Sequence, residues 1–260
     1  MLHFEDGSQA FADLVIGADG LSSVVRGAVC RNTPPHFSGH AVFRALVDAQ
    51  QLHERGIFPD DLTKWWSDDS FVIAYYLNAQ RDQYYFVAGF RQETWPDDIQ
   101  SLPADREEMI GRFIDFHFVP RSVLAAARDV RKWPLYERPA EVAWSKRRVV
   151  LLGDACHPMC PHMAQGAAMA IEDGAVLVRC LLAAGLDNFP LAYKWYQQCR
   201  YERVERVQRI SHENSWMRTK PDPAWLFSLD VWNAPLFEKI QPLKQDQSTL
   251  ATSISNNSQG

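Results

Sequence analysis

The pattern of apolar and polar positions changes twice along the chain, near residues 36 and 140. Before the first change, Leu2–Glu5 and Ala10–Ile16 are short β-prone runs around Asp6-Gly7-Ser8. Asp-Gly between such runs predicts a hairpin. The second run ends in Gly17-Ala18-Asp19-Gly20, and Ser22 or Ser23 is placed to cap a helix containing Val24, Val25 and Arg26. From 36 to about 136, apolar runs at Phe37–Val47, Phe71–Leu77 and Gln83–Phe90 are separated by polar turns, which predicts an antiparallel sheet. Pro103–Phe118 has a helical pattern with Asp105, Glu107 and Glu108 near its start, where the helix dipole favours acids. Ser122–Ala127 reads as a second short helix.

After the second change the chain reads strand, turn, helix. Arg148–Leu152 is a compact apolar strand running into Gly153-Asp154-Ala155-Cys156-His157-Pro158. Small residues at Ala164–Ala170 lead into a helix reaching about Ala184, closed by Gly185. A further helix spans Leu191 to about Asn214, and its charges predict a solvated face. Lys244–Gly260 is polar and rich in Ser, Asn and Gln, which predicts a disordered tail. The class is therefore mixed α/β, with an antiparallel sheet inserted between two parts of a strand-turn-helix domain. The expected divisions are 1–35, 36–140, 141–240 and a tail at 241–260.

Composition narrows this reading. The 260 residues are 47% hydrophobic and carry a net charge of −5, with no basic block, so nucleic acid is not an expected partner. Five cysteines, odd in number and scattered, argue against a disulfide scaffold and for a reducing compartment, the cytoplasm. The start lacks the features of a signal peptide. Ala175–Leu186 is too short, and too broken by Arg179, to span a membrane.

Two motifs share one physical form: an apolar strand ends, a glycine permits a tight turn, and an Asp stands beside it. In open α/β sheets ligands gather at the carboxyl ends of strands. A carboxylate there accepts hydrogen bonds from sugar-like hydroxyls. Gly166, Ala167 and Ala168 let backbone approach a flat ligand, and a helix starting near Gln165 aims free N–H groups at negative charge. Taken alone, Gly17–Gly20 reads equally well as a left-handed turn with an Asp cap.

The stretch Asp13-Leu14-Val15-Ile16-Gly17-Ala18-Asp19-Gly20-Leu21-Ser22-Ser23-Val24-Val25-Arg26 resembles the "DG" motif of class A FAD-dependent aromatic hydroxylases. Val150-Leu151-Leu152-Gly153-Asp154-Ala155-Cys156-His157-Pro158 resembles their "GD" motif, and Pro161–Asp173 resembles its continuation. Tyr75-Tyr76, Arg81–Tyr85, Lys132–Leu135 and Asp222–Trp225 are most similar to the branch acting on 6-hydroxynicotinate and salicylate. The resemblance extends to about residue 235. It implies FAD, reduced by NADH or NADPH, forming a C4a-hydroperoxide with O₂ that hydroxylates a small aromatic or heteroaromatic acid, in some members with loss of a ring carboxylate. It implies that Asp154 binds the ribityl chain, and that Gly153 and the Gln165-Gly166-Ala167 turn face the pyrophosphate and ring. Asp19, Gly20 and Arg26 would support the FAD site, and Pro158 would lie beside the flavin.

His162, at the turn entering the helix, is the acid/base or substrate-contact candidate, since imidazole titrates near neutrality; a packing or capping role stays open. Tyr75 is the candidate cavity residue of its pair, because adjacent strand residues face opposite sides. Arg44 could meet a substrate carboxylate, the flavin, or a salt-bridge partner in the sheet. Ser70 stands where hydroxynicotinate enzymes tend to carry His, which leaves that substrate open. The Trp residues at 65, 66, 133, 195, 216, 225 and 232 are expected mostly in core or cavity walls. Cys156, His157, Cys160 and His162 lack a second Cys pair, so no metal is expected.

No G-x-G-x-x-G occurs, whereas members of this family open with a Rossmann βαβ unit that carries it. The chain is thus expected to match the carboxyl-terminal two-thirds or so of a hydroxylase, leaving sheet edges exposed. Three readings follow: a truncated member of the family, a non-catalytic remnant or binding module, or a protein paired with a separate chain supplying the Rossmann unit. Poor FAD retention is expected of the isolated chain.

Overall fold

The computed structural model describes residues 1–31, 34–96, 99–138, 143–213 and 222–236. The chain forms two compact units, residues 1–32 with 140–260, and residues 33–139. The tail at 241–260 and Trp216 lie outside the described residues.

In the first unit, strands β1 (Leu2–His3) and β2 (Gln9–Ala10) form the expected hairpin. The run after it does not stay with the hairpin. Its end becomes β3 (Val15–Gly17), and a short helix α1 (Arg26–Val29) follows the turn. Ser23 Oγ accepts from the Arg26 amide at 2.9 Å, so Ser23 rather than Ser22 caps this start.

The second unit is a six-stranded antiparallel sheet. Its strands are β4 (His36–Asp48), β5 (Leu62–Trp66), β6 (Phe71–Tyr76), β7 (Gln83–Arg91), β8 (Leu102–Pro103) and β9 (Arg131–Glu137), in the order β5-β6-β7-β4-β9-β8. Three expected strands are present; β5, β8 and β9 complete the sheet. Helix α2 (Ala49–His53) follows β4, with Asp48 as its cap. Of the two helices expected here, the first is α3 (Arg106–Arg112), shorter than Pro103–Phe118, and the second is α4 (Phe118–Ala126), which begins before Ser122. Pro120 explains the break. It lacks an N–H and fits a first turn, not a helix interior, so the chain restarts with His117 as cap. Period-two alternation gives the sheet two faces. One packs on the helices through Phe43, Val72, Ala74, Tyr84, Phe86 and Ala88, all fully buried. Phe43 and Phe86 each contribute about 1.5–3 kcal/mol by burial.

The first unit resumes with β10 (Ser145–Lys146) and β11 (Val149–Leu151), which join β3 in the order β10-β11-β3. Strands β3 and β11 run parallel, with Leu151 opposite Gly17, and β3 is the edge of this sheet. Both apolar strands therefore end side by side. The antiparallel helices α5 (Gly166–Ala184) and α6 (Phe189–Glu213) follow, and then α7 (Ala224–Phe227). Helix α6 carries the expected solvated face, with Glu202, Glu205 and Glu213 exposed, but Arg200 departs from it: it is 1% exposed, on a buried stripe with Tyr193, Tyr196, Val204, Val207 and Ser211. None of the five cysteines, all among the described residues, forms a disulfide. No helix among the described residues is long and apolar enough to cross a membrane.

Candidate functional site

The carboxyl ends of β3 and β11 carry the two glycine-Asp turns. Gly17 is required by closeness, since a Cβ there would lie 2.8 Å from Val25 Cγ1 and 2.9 Å from Leu151 Cδ2. Gly153 has φ +59°, and its Cβ would lie 2.9 Å from Ala170 Cβ. Strand β11 can therefore turn sharply while α5 packs against the bend.

Asp19 is spent locally. Its carboxylate accepts from Ser23 Oγ (2.5 Å) and from the amides of Val24 (2.8 Å) and Val25 (3.1 Å). Burial raises its pKa, but these bonds outweigh it and hold the group below the ordinary carboxylate range. Gly20 sits beside it with φ +76°. Arg26 is 1% exposed and donates from Nη1 to the carbonyls of Ala155 (2.8 Å) and Cys156 (3.3 Å). The structure thus places Arg26 as a brace between the first turn and the second.

In the second turn, Gly153–Ala155 is a single 3-10 turn, and the amides of Cys156 and His157 donate to the Gly153 carbonyl. Asp154 is open to solvent and accepts no hydrogen bond from another described residue. Partial burial raises its pKa, opposed by His157. A Cβ on Gly166 would lie 3.9 Å from Asp154 Oδ1, so the carboxylate sits at the mouth of α5. No side chain caps the 19-residue α5, and its first turn holds no acid. Its free amides and dipole therefore favour an anion there. Gln165 is buried just before that mouth, while Ala167 is exposed on the first turn. Pro158 is buried, and its carbonyl accepts from Gln208 Nε2 at 2.7 Å.

His162 lies in a second 3-10 turn, Pro161–Met163, and its Nδ1 is 2.7 Å from the Ser211 carbonyl. A carbonyl needs a donor, so Nδ1 carries a proton toward Ser211. The two histidines of the suspected metal set have different partners: His157 meets Asp173 and His162 meets Ser211.

Sequence reasoning quoted Asp173 only as part of a motif and passed over Arg200. Asp173 is fully buried and accepts from the Gly153 amide (3.0 Å), His157 Nε2 (2.6 Å) and Arg200 Nε (2.7 Å). The signal was present. Positions 169, 173, 176, 177 and 180 are one helical stripe, otherwise Met, Val, Leu and Cys. Position 200 holds the same place among the apolar residues of α6.

In the second unit, the sheet face opposite the helices carries three cross-strand rows. One runs Lys64, Ile73, Val87, Arg44, Arg131; one runs Trp66, Phe71, Gly89, Val42, Trp133; one runs Leu62, Tyr75, Tyr85, Leu46. Tyr75 is half-buried, with its ring edge-on to Tyr85 at 5.5 Å, while Tyr76 packs on the opposite, helix-covered face. The Arg44 guanidinium lies 5.5 Å from the Trp133 ring, and its buried Nε has no partner. No carboxylate pairs with Arg44 among the described residues, so the sheet salt bridge is not formed. Arg131 stands directly opposite, and like charges across a strand pair are unfavourable. Lys64 is pushed down in pKa by burial. Of the tryptophans, Trp65, Trp133, Trp195 and Trp225 pack against cores, and Trp66 and Trp232 are largely exposed.

Comparison with known proteins accounts for this arrangement. Residues 4–209 match the family described as FAD binding domain. The chain is 44% identical over 239 residues to 6-hydroxynicotinate 3-monooxygenase of Pseudomonas fluorescens, covering 92% of this chain and 62% of that protein. It is 35% identical over 221 residues to 3-amino-4-hydroxybenzoate 2-monooxygenase of Streptomyces platensis, covering 85% and 55%. The chain thus spans about three-fifths of the length of these relatives. Its fold is similar to that of a salicylate hydroxylase substrate complex, with TM-score 0.74 and 24% identity, over 91% of this chain and 65% of that one. The match covers most of the chain and includes both glycine-Asp turns, and the protein belongs to the FAD-binding domain family.

Proposed function

We propose that the protein acts as an FAD-dependent monooxygenase, using NADH or NADPH and O₂ to hydroxylate a small aromatic or heteroaromatic hydroxy acid. The observation that carries this reading is the cradle of Asp154 and the uncapped start of α5 at the ends of two parallel strands. A carboxylate without a donor suits ribityl hydroxyls, and free helix amides suit a pyrophosphate. FAD, when bound, supplies electron transfer and oxygen activation. Asp19, Gly20 and Arg26 keep the first turn and brace the second. Gly153, Pro158, Gln165, Gly166 and Ala167 shape the floor. His162 is the acid/base or substrate-contact candidate beside this floor. Five thiols, none in a disulfide, agree with a reducing, cytoplasmic setting.

The substrate class is supported by the row around Arg44. The row holds three cations, Lys64, Arg44 and Arg131, and no carboxylate, and the neighbouring rows bring Trp133, Tyr75 and Tyr85. Such a face favours a flat ring bearing a negative charge. Ser70 lies in the β5–β6 turn with its Oγ on Asp69, and the reading names a class of acid and not one acid within it.

The test is NADH and NADPH oxidation by the protein with added FAD across hydroxybenzoic and hydroxypyridine-carboxylic acids. The reading expects one or more acids to accelerate oxidation and to gain one oxygen by mass. Acceleration by large uncharged aromatics alone would overturn the substrate class. A flavin-loaded protein inert to every aromatic compound would overturn the activity.

A further inference from the structure

The turn that carries Asp154 is held from behind by a single carboxylate. Asp173 is fully buried, which is costly for an anion unless its oxygens are used. Both are used. Oδ1 accepts from Arg200 Nε, while Oδ2 accepts from the Gly153 amide and from His157 Nε2. A leucine would suit the α5 stripe at lower cost, and what it would lack is this hold on residues 153 and 157. His157 has no second task. Its ring packs 5.2 Å from the Trp144 ring, and its Nδ1 is buried with no partner. The proton therefore belongs on Nε2, because a donor stranded at Nδ1 would be costlier than a lone pair. Arg200, 1% exposed, supplies a charge that balances Asp173. Arg200 is fixed in turn by Glu172 (2.6 Å), which also binds Arg203 at 2.8 Å through each oxygen. Two acids and two arginines close the charge count.

We propose that Asp173 is a positioning residue for the cofactor turn: through the Gly153 amide and the His157 ring it keeps the 153–158 segment in the shape that presents Asp154. This rests on reading that turn as the FAD site. The hold itself is a property of the chain without cofactor. Asp173 touches the turn, not the flavin, and acts through Asp154.

The test compares Asp173→Asn, His157→Gln and His157→Leu by amide hydrogen exchange of the cofactor-free chain and by FAD affinity. Losing a charge-assisted bond is worth about 1.5–3 kcal/mol, or roughly ten- to hundredfold. Asp173→Asn and His157→Leu should speed exchange at 153–157 by about that factor and leave the middle of α6 protected. FAD affinity should fall by a similar factor. His157→Gln keeps a donor toward Asp173 and should stay within about threefold of wild type. If Asp173→Asn does not fold, the two His157 variants decide alone. Unchanged exchange at 153–157 in His157→Leu, or loosening shared equally by α5 and α6, would overturn the proposal. A wild-type chain that binds no FAD, yet whose turn exchange follows the variants as stated, would refute the FAD reading and leave the hold established.

Discussion

The buried ion network of the first unit and Arg44 of the second treat charge in opposite ways. In the first, Asp173, Arg200, Glu172 and Arg203 are buried or nearly so, and every charge is matched across α5 and α6. In the second, Arg44 lies on an aromatic face with no acid among the described residues to meet it and another arginine opposite. Matched buried charges fix a shape and are intolerant of single losses. Unmatched charges on an apolar face leave stability unused and are available to a ligand. The difference separates a site that must be rigid from a surface that must recognise.

Single replacements should break this contrast most visibly if it is wrong. Arg200→Met leaves Asp173 buried and unpaired, and should cost about 3–5 kcal/mol in urea unfolding. Arg44→Met removes a charge facing Arg131 and should cost less than about 0.5 kcal/mol, or stabilise. Equal losses at the two positions would end the comparison. Gly153→Ala comes next, with about 1–3 kcal/mol from a left-handed backbone and crowding against Ala170.

The recognition side is sharpened by ligand. Arg44→Gln should weaken binding of an aromatic carboxylate about tenfold or more, and of its uncharged amide much less, by calorimetry. Equal weakening of both would remove Arg44 from charge recognition.

The smallest effects are those of pH. Burial raises the pKa of Asp173, but His157 and Arg200 outweigh it and hold the group below its ordinary 3.8. Its contribution to stability is thus full above 3.8 and is lost as pH falls through the folded value. Asp154 has the opposite sign. Its raised pKa makes ionisation a small cost that grows as pH rises from 3.8 through the folded value. Asp154→Asn should therefore unfold no earlier than wild type at neutral pH. Thermal unfolding of the cofactor-free protein between pH 3 and pH 8 checks both signs.

Strand-turn-helix order, the parallel-strand ends and the central sheet were legible because apolar runs and glycines report local geometry directly. The short strands β5, β8 and β9 were not. Leu62-Thr63-Lys64-Trp65-Trp66 has no clean alternation, and Arg131–Glu137 contains Pro134, so only the neighbours in the sheet make them strands. The motif residues were legible as a set, but their division of labour was not. Whether Arg26 meets a ligand or two carbonyls, and whether Arg200 faces water or Asp173, depends on packing between elements far apart in sequence. A polar residue on an apolar helical stripe was the readable clue, and positions 173 and 200 both carried it.

The central claim is that Asp154 and the start of α5 form the cofactor cradle. It is tested most directly by titrating FAD into wild type and Asp154→Asn and following the quenching of flavin fluorescence. The account predicts saturable binding by wild type, weakening as pH falls through the raised pKa of Asp154, and affinity about tenfold or more lower in the variant at unchanged thermal stability. Equal affinity of the two proteins, or binding indifferent to pH, would contradict it.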